Sequence, residues 1–149
     1  MGRIYVLIRS NMSHITTVKT TLNNLDLIQN ALNLLGLKTI KNSQVRMWNS
    51  RTVQADIVIK LDNYDVGVKR NEDGTYRLEA DSYAWSEIAR SPQMKKFNMH
   101  SDQGEQFTGL LTQATNMVRA QMVAASRGQK ITFTEPDSNN IIHARVLEA

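Results

Sequence analysis

The spacing of apolar residues changes character several times along the chain. Ile4 to Ile8 form a continuous apolar run of β-prone residues, and His14 to Thr20 (HITTVKT) are β-branched and read as extended. From Leu25 the period becomes helical: Leu25, Ile28, Leu32 and Leu35 share one face, which Leu27, Ala31 and Leu34 widen. Asn23 or Asn24 supplies a cap, and Gly36 a left-handed stop. Between Lys38 and Ala80 the pattern breaks into short extended runs. Val45 to Trp48 leads into an Asn49-Ser50 turn, and Ala55 to Leu61 (ADIVIKL) reads as a central strand. Asp62-Asn63 turns that strand into Tyr64 to Lys69, and Glu72-Asp73-Gly74 turns the next into Thr75 to Ala80. Three or four consecutive antiparallel strands follow, with Ile57, Ile59 and Leu61 on one face and Val58 on the other.

Asp81 or Ser82 starts a helix through Trp85 and Ile88, which Ser91-Pro92 ends. Met94 to Gly104 lacks periodicity and reads as a loop or lid, the segment expected to move most. A long helix is predicted from about Glu105 to Ser126, with Leu110, Ala114, Met117, Gln121 and Ala124 along its apolar stripe. Arg127-Gly128 stops it, and Ile131 to Glu135, a PDSNN turn and Ile141 to Leu147 form a closing hairpin. The expected fold is α+β: an antiparallel sheet with helices packed on one face, in the order β-α-β-β-β-α-α-β-β. Residues 12–149 make a single domain, and residues 1–11 an extension that offers an extra strand.

Length and composition agree with this picture. The chain has 149 residues, 41% hydrophobic and 21% charged, which is ordinary globular material of one-domain size. Aromatic residues are only 6%, so the core is mainly aliphatic. No window reaches the roughly 18–20 apolar residues of a membrane-spanning helix, and no membrane contact is expected. Ile4 to Ile8 is too short for a signal peptide and has no cleavage site, so secretion is not expected either. Cysteine is absent, which excludes disulfides, iron–sulfur clusters, thiol nucleophiles and Cys-type zinc sites.

Charge and candidate chemistry add little that is specific. Residues 1–50 carry Arg3, Arg9, Lys19, Lys38, Lys41 and Arg46 against Asp26 alone, a surplus of +5 in a chain of net charge +4. The cations are scattered, as on an ordinary solvated surface, and do not form a phosphate-binding run. His14, His100 and His143 lie in no nucleophile-elbow or zinc-ligand context, and the glycines form no phosphate-cradling cluster. No catalytic residue, metal site or cofactor is therefore assigned. Asp56, Asp65, Glu79 and Asp81 sit on or beside strands, where acids are disfavoured. If Asp56 and Asp81 met at one sheet end, they could bind a cation or share a proton. The simpler account pairs the acids with Lys60, Lys69 or Arg77 and makes Asp81 a helix cap. Arg46, Trp48, Arg51 and Arg77 are the candidates for a nucleic-acid face, with Trp48 and Tyr76 otherwise packing in the core.

Five motifs stand in order: MSHITTVKT at Met12–Thr20, the helix ending LNLLG, QADIVIK, YDVGV and YRLEADSYAW. In these the chain resembles the hypothetical chloroplast reading frame thirty-five family of cyanobacteria, plastids, other bacteria and phages. Thr115 stands where that family usually has an aromatic residue and Val68 where it usually has Phe, and Met1–Asn11 precedes its usual start, so Met12 offers a second start. The resemblance implies a small soluble protein of unassigned activity, in the cytoplasm, a plastid stroma or a phage host's cytoplasm. It also implies an accessory or adaptor role beside an AAA ATPase. Ser13, His14, Lys19, Asp56, Tyr64, Asp65, Asp81 and Trp85 are the matching residues that could form a shared surface. The expectation is thus a non-enzymatic adaptor docking through a sheet edge or the long helix's stripe, where Met117, Val118 and Met122 lie. Homo-oligomerisation through an edge strand is equally open. A nucleic-acid binder using the basic N-terminal third is the alternative, and an enzyme with a carboxylate-based site the third reading.

Overall fold

The computed structural model describes residues 15–99, 104–139 and 141–148. Its strands are β1 (Ile15–Lys19), β2 (Thr39–Arg46), β3 (Thr52–Lys60), β4 (Asp65–Arg70), β5 (Tyr76–Asp81), β6 (Gln129–Phe133) and β7 (Ala144–Glu148). Its α-helices are α1 (Leu25–Leu34), α2 (Ser82–Arg90) and α3 (Glu105–Ser126). Strands β1 to β5 form one antiparallel sheet in the order β1-β5-β4-β3-β2, and β6 and β7 pair separately. The α+β class is as expected. The middle run contains four strands instead of the three in the expected order, because Thr39 to Arg46 extends along the full length of β3. Trp48 consequently lies beyond β2, in the turn. The Ile4–Ile8 run lies outside the described residues.

Helix α1 begins where its cap was expected: the Asn24 side chain accepts a hydrogen bond from the Leu27 N–H. It ends in paired reverse bonds, Gly36 N–H to the Asn33 carbonyl and Leu37 N–H to the Leu32 carbonyl, with Gly36 at φ +80°. Asp81 caps α2, and Ser91 closes it. All three helices press on one sheet face. There Ile28, Leu32, Trp85, Ile88, Phe107 and Leu111 meet Ile57, Ile59, Val66, Val68, Leu78 and Ala80 in the main core.

Helix α3 spans the predicted residues, but its buried stripe matches the expected one only at Ala114 and Ala124. Phe107, Leu111, Ala114, Thr115, Val118 and Ala124 face inward, while Leu110 and Met117 are only half-buried. Glycine and threonine interrupt the apolar period in GLLTQAT, so two stripes about one residue apart were compatible with the sequence. Met94 is fully buried, and Phe97 and Met99 pack against the core. The described part of the expected lid is therefore anchored. Residues 100–103 lie outside the described residues.

The opposite sheet face is covered by the sheet itself. Pairing of β2 with β3 keeps one register but skips the Asn42 position, where the backbone turns to φ +48°. Beyond this kink the alternation of faces inverts. Ile57 and Ile59 point to the helices, whereas Val45 and Ala55 join Val58 and Met47 in a second, smaller core with Ile15 and Val53 against it. The distal half of the β2–β3 hairpin thus folds back across the sheet. Gly67 on β4 permits the crossing: a Cβ there would stand 2.6 Å from Val45 Cγ2 and 3.1 Å from the Ala55 Cβ. The glycine of the Tyr-Asp-Val-Gly-Val motif is a clearance for the returning hairpin.

Candidate functional site

The folded-back hairpin brings its tip onto two buried acids. Asp65 and Asp81 lie on adjacent strands, one step beyond the Val66–Ala80 pair, and are 0% and 1% exposed. Asp65 holds Arg46. Its carboxylate accepts from the Arg46 backbone N–H at 2.9 Å, from Arg46 Nε at 2.9 Å and from Arg46 Nη2 at 2.8 Å. Lys60 Nζ at 3.2 Å and the Leu61 N–H at 3.4 Å complete the set. Arg46 Nη2 also donates to the Leu61 carbonyl at 2.6 Å, and Nη1 to that of Asp62 at 3.3 Å. Asp81 holds the next turn, accepting from the Trp48 N–H at 3.0 Å while capping α2 at the Tyr83 N–H, also 3.0 Å.

The electrostatics follow from this geometry. Burial alone would push the Asp65 carboxyl up, but the side-chain and backbone hydrogen bonds of Arg46 and the Lys60 ammonium outweigh it and hold the carboxyl below its usual range. The reciprocal hydrogen bond from Asp65 raises Arg46. Asp65 is ionised and saturated with donors, which suits a structural anchor and leaves no lone pair for a proton transfer.

The tip itself is a tight reversal. Asn49 and Ser50 both have positive φ, 63° and 61°, and the Arg51 N–H bonds to the Trp48 carbonyl. Two left-handed residues in succession reverse the chain within a three-residue loop, Trp48–Ser50, between the facing residues Met47 and Arg51. On the other side, Glu87 of α2 clamps the β3–β4 turn, accepting from the Asn63 N–H and Nδ2 and from the Tyr64 N–H. Tyr64 stacks on Tyr83 with ring centroids 5.8 Å apart. The result is a firmly held surface on which Trp48 is 39% and Tyr83 48% exposed. A shallow cleft beside the tip is lined by Arg46, Arg51, Asn49, Asn63, Thr52 and Tyr64, and no carboxylate among the described residues lines it.

The sequence candidates sort clearly against this geometry. Tyr64, Asp65, Asp81, Arg46, Trp48 and Arg51 are brought together around the tip. Trp85 is buried in the main core, its indole donating to Thr16 Oγ1 at 2.6 Å and its ring against Phe107. Asp56 and Asp81 do not meet, because they lie on different rows of the sheet. Asp56 accepts from the Arg70 N–H at 3.0 Å, and the acid neighbouring Asp81 is Asp65. Arg77 stands apart from the tip, opposite Lys19 and Lys69, and is occupied by Glu79, Asn71 and the Arg70 carbonyl. The four nucleic-acid candidates therefore form no single platform. Tyr76 is buried as expected, whereas Trp48 is not. Ser13 and His14 lie outside the described residues. Glu87 was missed. Its signal was weak, since it lay only in the helical spacing from the Asp81 cap that turns it, with Tyr83, toward the Asp62-Asn63 turn.

Among the described residues no group of three or more His, Asp or Glu gathers to hold a metal ion, and no helix is long and apolar enough to cross a membrane. On the long helix, Val118 is buried and cannot serve as a docking residue, although Met122 is exposed.

Comparison with known proteins places the chain beside relatives with the name that the motifs suggested. A sequence profile described as a protein of unknown function (DUF1257) matches residues 31–114. The uncharacterized protein ycf35 of Pyropia yezoensis is 36% identical over 78 residues, 51% of this chain and 60% of that protein. The protein of the same name from Guillardia theta is 37% identical over the same share of each. The chain spans about three-fifths of the length of these curated relatives. No solved structure matches it.

Proposed function

We propose a function on one premise: this chain belongs to the DUF1257 family of proteins of unknown function. It is a non-enzymatic binding module that docks a protein partner on the tip of the β2–β3 hairpin. The observation that carries this reading is the division of roles at the tip. The acids there, Asp65 and Asp81, are buried and engaged with backbone and Arg46 donors, while Trp48 and Tyr83 remain partly exposed beside Arg51. Trp, Tyr and Arg are the residue types that concentrate binding energy at protein interfaces, and rigid presentation lowers the entropy lost on docking. The docking surface moves accordingly from the long helix's stripe to the hairpin tip.

An AAA ATPase, the neighbour implied by the family resemblance, is the first partner to test. Affinity capture from the native host compares the unaltered chain with Tyr83→Ala and Arg51→Glu, each checked for native circular dichroism. A protein retained by the unaltered chain and lost from folded variants supports the reading. Retention by both variants would contradict it, and nucleic acid in place of protein would favour the alternative.

A further inference from the structure

Beyond the docking surface at the tip, we infer that β7 is a dimerisation strand. Its outer edge pairs antiparallel with β7 of a second copy of this chain, joining the two-stranded hairpins of both copies into one continuous sheet. The β6–β7 hairpin is the least supported part of the fold. Among the described residues none of β6 or β7 belongs to either core, and every residue of β7 is exposed. Helix α3 lies against β6, whose Gln129, Ile131 and Phe133 are half-buried, and leaves β7 bare. Val146 is 54% and Leu147 43% exposed. With Met122, Val123 and Ile141 they make up more than half of the large apolar side chains exposed among the described residues. A two-stranded ribbon is marginal in water, and further strands stabilise it.

The backbone defines where the added strand goes. The Thr134 N–H bonds to the His143 carbonyl, which fixes the alternation of the ladder. Stepping by two from that pair, Arg145 and Leu147 turn their N–H and C=O groups toward β6. Those of Ala144, Val146 and Glu148 turn outward, where no strand pairs among the described residues. Strand β2, at the edge of the large sheet, is kinked at Asn42 and carries Lys41, devices that discourage pairing. Strand β7 has no proline, lysine or positive φ.

The charge pattern of β7 matches itself. A two-fold axis at Val146 sets that residue on its own copy, Ala144 opposite Glu148 and Arg145 opposite Leu147, so every outward N–H and C=O of the strand is used. No like charges face one another, and the aliphatic stem of Arg145 covers Leu147 of the second copy. An axis at Arg145 or Glu148 would oppose two like charges, and one at Ala144 or Leu147 would leave outward groups unpaired. Val146 shares its face with Ile131, the face that α3 covers on β6. The axis is perpendicular to the sheet, so both α3 helices lie on that side, with the paired Val146 side chains between them.

Analytical ultracentrifugation of the full chain tests this at concentrations up to about 0.5 mM, which reaches weak pairs. The expected result is a reversible monomer–dimer equilibrium. Val146→Lys brings two ammonium groups together at the axis and should weaken it at least about tenfold. Circular dichroism should not change, because the side chain is exposed. Tyr83→Ala and Arg51→Glu, at the other hairpin's tip, should leave the equilibrium unchanged. The sequence has no cysteine, so single-cysteine variants report the register. On oxidation Val146→Cys should cross-link to its own copy, since the opposed Cα atoms stand about 5.5 Å apart. Arg145→Cys and Leu147→Cys, displaced along the strands to more than about 7 Å from their own copies, should cross-link far less. The inference is overturned by a chain that stays monomeric, by a dimer unaffected by Val146→Lys or lost in Tyr83→Ala, or by equal cross-linking at the three positions. Docking at the β2–β3 tip is tested apart, by capture, and stands or falls without it.

Discussion

A carboxylate without exposed surface is tolerated in a sheet only when its lone pairs are occupied by donors, and Asp65 meets that condition through Arg46, Lys60 and Leu61. Replacing it by Asn leaves Arg46 without its counter-charge and forfeits the bidentate pair. Asp65→Asn should cost about 3 kcal/mol in urea unfolding at neutral pH. The pH dependence has a definite sign. Because the folded carboxyl lies below its unfolded value of about 3.9, its contribution is complete above that value and is lost as pH falls through the lower, folded value. Unfolding titrations between about pH 2 and 6 should show part of the acid destabilisation of the unaltered chain missing in Asp65→Asn. Equal acid limbs would mean that Asp65 is not ionised by its partners. Gly67 makes a second residue-scale case. Gly67→Ala drives a methyl into Val45 and should cost about 1–3 kcal/mol, and Val45→Ala in the same chain should recover part of it. Additive losses in that cycle would contradict the crossing.

At the scale of elements, most boundaries were legible and most faces were not. Asn24, Gly36, Asp81 and Ser91 mark helix ends by chemistry that operates within a few residues, so the sequence carried them openly. The buried side of α3 depends on what α1 and the sheet present to it, which no local pattern encodes. Leu111→Ala should therefore destabilise by about 2–4 kcal/mol and Met117→Ala by less than about 1 kcal/mol, measured by chemical denaturation. The opposite ranking would restore the originally expected stripe. The hairpin turn combines a correct local signal with an unexpected destination. Asn49-Ser50 was readable as a turn, but Ser50 adopts φ 61°, a region costly for a residue with a side chain. Ser50→Gly should raise stability by about 0.5–1 kcal/mol in thermal unfolding without displacing the tip. A loss of stability would show that the serine makes a contact worth more than its backbone cost.

For the whole molecule, the departures at the candidate site have one physical source, the return of the β2–β3 hairpin across the second sheet face. A kink at Asn42 has no strong signature in the sequence, yet it brings Arg46 and Trp48 over Asp65 and Asp81, residues far apart in the chain. Without it, Asp81 was readable as a helix cap and the other acids as partners of Lys60, Lys69 or Arg77, as Lys60–Asp65 and Arg77–Glu79 are, but the hold of Asp65 on Arg46 and of Asp81 on the hairpin turn was not. With it, Asp65 and Asp81 become anchors, and the exposed aromatic and guanidinium groups become the candidate for recognition. The candidate site was thus legible as a set of residues and not as an arrangement. The most direct test of this account is native-state hydrogen exchange at the Arg46 and Trp48 amides, whose acceptors are Asp65 and Asp81. The account predicts protection close to that of the central strands, with protection of Trp48 lost selectively in Asp81→Asn. Rapid exchange of both amides in the unaltered chain, at the rate of an open turn while β3 to β5 stay protected, would contradict it.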